Sequence, residues 1–121
     1  MDLKLCDSDY RFMTIVWENA PVRSGELVKI CNNELGWKKS TTYTMIRKMC
    51  QKGFIENKDS VVSVLIQKEI CQKAESDYFI ERTFSGSLTG FIASFLGGKN
   101  LTEDEADELK QLIDSYKKEQ S

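Results

Sequence analysis

The fold of this chain is decided by the stretch KKSTTYTMIRKMCQKG, residues 38–53. Its apolar side chains recur every three or four positions, which predicts one buried stripe along a short helix. They are Met45, Ile46, Met49 and Cys50. The other face of this helix is polar, aromatic and basic. Gly53 follows as a residue that adopts left-handed backbone readily, so we expect the helix to end there.

The outer face of this helix is suited to DNA. Between residues 38 and 58 the chain carries six basic side chains against one carboxylate, and such a face fits phosphate oxygens and base edges in a major groove. We expect phosphate contacts from Lys38, Lys39, Arg47, Lys48, Lys52 and Lys58. We expect contacts to base edges and thymine methyl groups from Ser40, Thr41, Tyr43 and Thr44. The alternatives are a core position for Tyr43 and, for the whole stretch, a solvated basic surface helix.

Two shorter amphipathic helices precede this one. The spacing of apolar residues predicts the first from Asp9 to about Asn19, with Asp7 or Ser8 as its N-cap. It predicts the second from Gly25 to about Asn33, with Ser24 as its N-cap. Three short helices with a basic third helix are typical of a helix-turn-helix domain.

The segment after the third helix has the composition of a β-hairpin. Residues 54–58 and 61–66 are rich in β-branched and aromatic side chains, and Asp59-Ser60 forms a short turn between them. A hairpin in this position predicts a winged helix-turn-helix over residues 1–67. Winged helices bind DNA and also serve as protein-interaction modules, so both functions follow from this pattern.

From about Lys68 the pattern is helical. We expect a long helix that stops near Ser85-Gly86, a short apolar helix closed by Gly97-Gly98, and a last helix that begins with a Thr102/Glu105 capping box. Three helices this apolar pack poorly alone, so residues 68–121 are predicted to be a helical dimerisation arm, with docking onto the N-terminal domain as the alternative. The expected dimer contacts are Tyr78, Phe84, Leu88, Phe91, Ile92, Phe95, Leu96, Leu109, Leu112, Ile113 and Tyr116. The predicted fold class is therefore mainly α with a small β-hairpin.

Composition excludes several kinds of site. The 121 residues include four cysteines and no histidine, and the cysteines lie 25, 19 and 21 positions apart, from Cys6 to Cys71. This excludes zinc fingers, histidine bases and Cys/His catalytic pairs, so we expect no metal and no cofactor. The cysteines are expected to be small core residues, with a redox or metal sensor as the alternative. Carboxylates crowd residues 103–108, where capping and the helix dipole account for them, so we expect no enzyme.

Charge and hydropathy indicate where the protein works. The net charge is −2, but residues 1–73 carry +3 and residues 74–121 carry −5, so the field near the basic helix is locally positive. No apolar run approaches the ~18 residues that a transmembrane helix needs, so we expect no membrane insertion. The start, Met1-Asp2-Leu3-Lys4, lacks the pattern of a secretory signal, and we expect a cytoplasmic protein.

Several motifs that run nearly end to end resemble the penicillinase-repressor family (BlaI/MecI/CopY). They are residues 5–17, Thr41-Thr42-Tyr43-Thr44, Lys52-Gly53-Phe54-Ile55, Phe84-Ser85-Gly86-Ser87 and residues 101–109. The resemblance implies a homodimeric transcriptional repressor that binds a palindromic operator of β-lactam-resistance or related genes through its winged helix. It also implies a partner, a membrane sensor-protease system that cuts an Asn-Phe bond in the apolar C-terminal helix of antibiotic-responsive members.

The chain departs from the family pattern at several places, including Thr42 at a Val position and Met49 at a Leu position of the third helix. Lys48 stands at an Arg position, which keeps a phosphate contact but gives up bidentate geometry. Asp59-Ser60 replaces a basic Gly-Arg element at the wing tip. The bond that matches the cleavage position is Ser94-Phe95, so Phe is kept and Asn is replaced. The CxCx₄CxC element of the copper-responsive branch is absent, because Cys71 is the last cysteine.

Overall fold

The computed structural model of this protein describes residues 2–117, which contain six α-helices and three β-strands. In chain order they are α1 (Asp7–Asn19), β1 (Val22–Arg23), α2 (Ser24–Leu35), α3 (Lys39–Gln51), β2 (Ile55–Lys58), β3 (Val61–Val64), α4 (Lys68–Phe84), α5 (Leu88–Leu96) and α6 (Glu103–Ser115). The chain divides into two compact units, Met1–Phe79 and Ile80–Ser121. The predicted fold class is confirmed: the protein is mainly α with a small antiparallel sheet, and three helices followed by a hairpin form a winged helix.

The sheet has three strands, in the order β1-β3-β2. The central strand β3 pairs antiparallel with both neighbours, and its Val62 lies opposite Val22 of β1 and Asn57 of β2. The β2–β3 hairpin was predicted, whereas β1 was not. A strand of two residues is too short to show an alternating pattern, and its pairing with β3 is a tertiary contact. The backbone N–H of Ser24 extends this pairing by donating to the carbonyl of Ser60 at 2.9 Å.

The turn of the hairpin is a two-residue loop in which both residues have positive φ. Asp59 has φ 53° and Ser60 has φ 64°, as a type I′ turn requires. The twist of this turn matches that of the two strands, and it places Lys58 opposite Val61. The predicted turn position is therefore correct.

The core of the N-terminal unit draws on every helix from α1 to α4. Its largest fully buried apolar side chains are Phe12, Phe54, Met13, Leu27, Ile46, Met49, Ile55, Val16 and Val62. The Trp37 ring, just before α3, stacks on that of Phe12 with 6.2 Å between centroids and 10° between planes. The first turns of α4 contribute the fully buried Cys71. The predicted domain division between residues 67 and 68, and the dimerisation role of residues 68–121, stay predictions.

The cysteines occupy different environments, and all four are free thiols. Cys31 and Cys71 are buried, as predicted, and burial raises the pKa of each thiol. Cys50 is half-buried. The prediction is wrong for Cys6, which is exposed because it precedes α1 rather than lying on its apolar stripe.

Two predicted N-caps are wrong. α1 begins at Asp7, and its N-cap is Cys6, whose carbonyl accepts from the N–H of Tyr10 at 2.9 Å without a side-chain cap. α2 begins at Ser24, because β1 leads directly into it and Arg23 takes the N-cap position. At the C-terminal end of α3, Gly53 has φ 83°, as predicted for the residue that ends this helix.

The C-terminal unit contains the end of α4 with α5 and α6. The Ser87 hydroxyl caps α5 by accepting from the N–H of Gly90 at 2.9 Å. The predicted capping box of α6 is confirmed: the Glu105 N–H donates to the Thr102 hydroxyl at 3.1 Å, and the Thr102 N–H donates to the Glu105 carboxylate at 3.2 Å. α5 and α6 contain no buried residue. Their backbone is thus well specified, whereas their apolar side chains are left largely in water.

Candidate nucleic-acid interface

Helix α3 has one face in the core and the opposite face in solvent. The side chains of Met45, Ile46 and Met49 are buried, and Cys50 is half-buried, so the predicted apolar stripe is correct. Thr42 is also fully buried. The exposed side chains follow each other at helical spacing along the outer face. They include Ser40, Thr44, Arg47 and Gln51, and Lys39, Thr41 and Lys48 are exposed beside them.

The predicted base-reading residues lie near the N-terminal end of α3. Ser40, Thr41 and Thr44 are exposed. Tyr43 is half-buried and packs against the core, while its ring accepts a cation contact from Lys39 at 5.9 Å. The core contact agrees with the alternative interpretation of Tyr43 in part, and its contact with DNA stays a prediction.

The Thr44 hydroxyl is held in place within α3. It donates to the backbone carbonyl of Ser40 at 2.9 Å and accepts from the Arg47 guanidinium at 3.4 Å. Fixing these side chains before a ligand arrives lowers the entropy lost on binding.

Four of the six predicted phosphate-binding side chains are exposed cations without a carboxylate partner in the described part of the chain. Lys38, Lys39, Arg47 and Lys58 make no ion pair with a carboxylate within residues 2–117. The first three belong to α3 or its N-cap, and Lys58 ends β2 beside the acidic tip of the wing. Lys38, Lys39 and Arg47 flank the exposed hydroxyl groups of α3 along the chain, and exposed cations of this kind suit phosphate oxygens.

The other two cations, Lys48 and Lys52, are ion-paired to one carboxylate on α1. The Lys48 ammonium lies 2.8 Å from one oxygen of Asp9, and that of Lys52 lies 3.3 Å from the other oxygen. The Asp9 side chain is only 1% exposed, whereas those of Lys48 and Lys52 are 44% and 33% exposed. The Lys52 ammonium also donates to the backbone carbonyl of Lys4 at 3.4 Å.

The electrostatics of this cluster favour its charged form. Burial by itself raises the pKa of Asp9, but the hydrogen bonds from Lys48, Cys6 and Lys52 and the charge of Lys48 outweigh it, so the pKa lies below its ordinary value. The hydrogen bond to Asp9 raises the pKa of Lys48. The Asp9 carboxylate and the Lys48 ammonium group therefore both remain charged near neutral pH.

Sequence reasoning missed the role of Asp9, although the sequence contained a signal for it. Asp9 lies three and four positions before Phe12 and Met13, on the same stripe that enters the core. A carboxylate on a buried stripe needs a cationic partner, because desolvating it alone is costly. The missing information was which cations the fold brings to it from residues 39 and 43 positions away.

Nine of the eleven predicted dimer residues lie on α5 and α6 or at the C-cap of α6, and because most of them are exposed we call this set the open apolar face. Leu88, Ile92, Phe95, Leu109, Leu112, Ile113 and Tyr116 are 42–79% exposed. Phe84, Phe91 and Leu96 are half-buried, and the Phe91 ring lies 5.5 Å from that of Phe84 and 5.8 Å from that of Phe95. Tyr78, the remaining predicted residue, is exposed on α4 within the N-terminal unit. A contiguous apolar face of this kind marks an interaction site on most soluble proteins.

Comparison with known proteins identifies the family. The family model for penicillinase repressors matches residues 5–115. The chain belongs to the penicillinase repressor family. It is 23% identical to the penicillinase repressor of Bacillus licheniformis over 118 residues, and this alignment covers 94% of this chain and 92% of the relative. It is 22% identical over 114 residues to the methicillin resistance regulatory protein MecI of Staphylococcus aureus (strain Mu50), with 91% and 93% covered. A MecI from Mammaliicoccus sciuri is 21% identical over 114 residues.

Membership of the penicillinase repressor family confirms the resemblance seen in the sequence and places the chain among DNA-binding transcriptional repressors. These relatives are named as repressors or regulators and not as enzymes. No helix within residues 2–117 is long and apolar enough to cross a membrane. The Ser94-Phe95 bond of this repressor-family chain lies in α5, and both residues are exposed.

Proposed function

We propose that this chain is a homodimeric transcriptional repressor whose two α3 helices enter successive major grooves of a palindromic operator. The observation that carries the proposal is the outer face of α3, where exposed hydroxyl groups are flanked by exposed cations that no carboxylate neutralises within residues 2–117. Hydroxyl groups and methyl groups read base edges, and lysine and arginine bind phosphates. Membership of the penicillinase repressor family supports the same function.

The proposed contacts are of two kinds, to phosphates and to bases. Lys38 and Lys39 at the start of α3, Arg47 in its middle and Lys58 on the wing are proposed to bind phosphates. Ser40, Thr41 and Thr44 are proposed to contact bases. Tyr43, whose ring lies 5.9 Å from the Lys39 ammonium group, is proposed to contact bases as well. The acidic Asp59 at the tip of the wing repels the DNA backbone, so we propose that the wing contributes through Lys58 alone. Repression then follows from occupying the promoter and needs no catalysis.

The dimer is proposed to form through the apolar face of α5 and α6. This face is exposed in a single chain, and a second copy of the same face would remove it from water. A two-fold dimer would place two identical winged helices on one duplex, about one helical turn or ~34 Å apart. The palindrome of the operator would mirror the symmetry of the protein.

The regulated genes are proposed to be β-lactam-resistance genes or related genes, since the relatives are a penicillinase repressor and a methicillin resistance regulator. The proposed inducing partner is a membrane sensor-protease system that acts on the Ser94-Phe95 bond. This bond lies inside a helix, so α5 would have to open locally before a protease could bind it as an extended strand.

Fluorescence anisotropy tests the proposed function. The purified protein is titrated onto its own upstream promoter DNA and onto a scrambled duplex, at ~50 and ~200 mM salt. We expect tighter binding to the promoter, saturation at two protomers per site, and affinity that falls steeply with salt. Binding that is equal on both duplexes, or absent at ~50 mM salt, would contradict the proposal and favour a winged-helix module that binds a protein partner.

A pair of matched variants locates the binding surface. Arg47→Gln removes an exposed cation from α3. In a dimer it should make the negative slope of log K against log salt shallower by about 1.8, because each of the two lost phosphate contacts contributes about 0.9. Lys73→Gln removes the same charge from α4, where Lys73 pairs with Asp77 at 2.7 Å, and should leave the slope unchanged. Equal effects of the two variants would show that net charge, and not the face of α3, determines binding.

A further inference from the structure

We infer that Asp9 is a positioning residue for the DNA contact: its carboxylate holds the ammonium groups of Lys48 and Lys52 against α1 and so limits the number of cations that α3 offers to DNA. The inference rests on the proposed function. It differs from the prediction made from the sequence, in which Lys48 and Lys52 bind phosphates as freely as the other four cations.

The geometry leaves little of the Asp9 carboxylate for any other partner. One oxygen accepts from Lys48 at 2.8 Å and the other accepts from Lys52 at 3.3 Å. The side chain is 1% exposed, so water does not compete for these bonds. The backbone carbonyl of Lys4 holds the Lys52 ammonium from a second direction at 3.4 Å.

The two lysines lie one helical turn apart, beside the outer face of α3 and toward α1. Their side chains are 44% and 33% exposed, so the flexible stems are within reach of solvent although the ammonium groups are held. Lysine side chains are long and rotate freely once their partner is removed. Without the carboxylate, the Lys48 ammonium group is free to turn outward to bound DNA, and the Lys52 ammonium group keeps only its bond to the Lys4 carbonyl.

The contrast with the other cations defines the consequence. Lys38, Lys39, Arg47 and Lys58 have no carboxylate partner within residues 2–117. Four contacts in each of two subunits predict a salt slope of about −7, at about 0.9 per contact. Releasing Lys48 and Lys52 in both subunits would steepen the slope by up to about 3.6. Between 50 and 200 mM salt this adds an up to ~150-fold loss of affinity.

The test is the salt slope of Asp9→Asn on promoter DNA and on a scrambled duplex. We expect a slope steeper than that of the native protein by between about 1 and 3.6, with tighter binding to both duplexes at ~50 mM salt. Asp77→Asn is the matched control. It makes the same change of charge and frees Lys73 on α4, and it should leave the slope unchanged. Asp9→Glu restores the carboxylate and should restore the native slope.

Each outcome decides between the possible roles. An Asp9→Asn slope equal to the native one, with weaker binding at every salt concentration, would show a purely structural carboxylate and overturn the inference alone. A native protein without salt-dependent DNA binding would overturn the proposed function and the inference with it. If circular dichroism shows that Asp9→Asn is unfolded, the triple variant with Lys48→Met and Lys52→Met decides. The triple variant leaves no lone charge at the site, and it should keep the native salt slope. A salt slope shallower by about 3.6 would show that Lys48 and Lys52 already bind phosphates in the native protein, and it would overturn the inference.

Discussion

Replacing Asp9 by Asn and Lys48 by Met, singly and together, measures the free energy with which this ion pair ties α1 to α3. Asn keeps the shape of Asp, and Met keeps most of the stem of Lys, so each change removes charge with little change of packing. Lys48→Met leaves a buried carboxylate whose remaining ammonium partner within residues 2–117 is Lys52, at 3.3 Å. We therefore expect each single variant to be destabilised and the double variant to lose less than the sum of the two.

The magnitude follows from the burial of the two partners. A hydrogen bond to a charged group contributes about 1.5–3 kcal/mol. Asp9 is 1% exposed, but the Lys48 side chain is 44% exposed and partly screened by solvent, so we expect a coupling energy of about 1–1.5 kcal/mol. This corresponds to a difference in the urea midpoint of roughly 0.5–1 M for a domain of this size.

The assay is urea unfolding of the four proteins at one fixed protomer concentration, because the proposed dimerisation would make stability depend on concentration. A second cycle on Lys73 and Asp77 is the control. That pair is just as close, at 2.7 Å, but its side chains are 77% and 69% exposed, so it should couple by only about 0.3–0.5 kcal/mol. A coupling for Asp9 and Lys48 no larger than that of the control would refute the argument that burial of the carboxylate determines the strength of the pair.

Three further predictions follow from the same structure. Folding lowers the pKa of Asp9, so the contribution of its carboxylate to stability is complete above the unfolded pKa of about 4 and is lost as the pH falls through the folded pKa. Urea midpoints measured at pH 7 and pH 3 should therefore show that the native protein loses more stability than Asp9→Asn. Thr102→Ala removes the capping box of α6 and should cost about 1 kcal/mol, which amide hydrogen exchange of the first turn of that helix will report. Leu112→Glu places a charge on the open apolar face and should shift the protein to monomers in sedimentation equilibrium, whereas the same change at the exposed Lys110 should not.

The parts of the fold that depend on local sequence were predictable. The apolar spacing of α3, the left-handed Gly53 after it and the Thr102/Glu105 capping box are each determined by residues within a few positions of each other. The hairpin was predictable for the same reason, since its turn and both strands are contiguous in the chain. These elements together were enough to predict a winged helix.

The parts that depend on tertiary contacts were not predictable. β1 exists because β3 pairs with it, and this pairing also moves the start of α2 to Ser24. The ion pairs of Lys48 and Lys52 join residues about 40 positions apart. Inspection of residues 38–58 alone therefore gave six equivalent cations, whereas within residues 2–117 four have no carboxylate partner and two are paired with Asp9. The half-buried position of Tyr43 likewise depends on the packing of α3 and not on its sequence.

Methylation protection of guanines across the upstream promoter tests the central claim most directly, because guanine N7 lies in the major groove that α3 is proposed to enter. We expect two protected patches about one helical turn apart, related by the symmetry of a palindrome, and loss of both patches in Arg47→Gln at moderate salt. A single patch, or no protection at protein concentrations that saturate anisotropy, would contradict a dimer that reads two major grooves through α3.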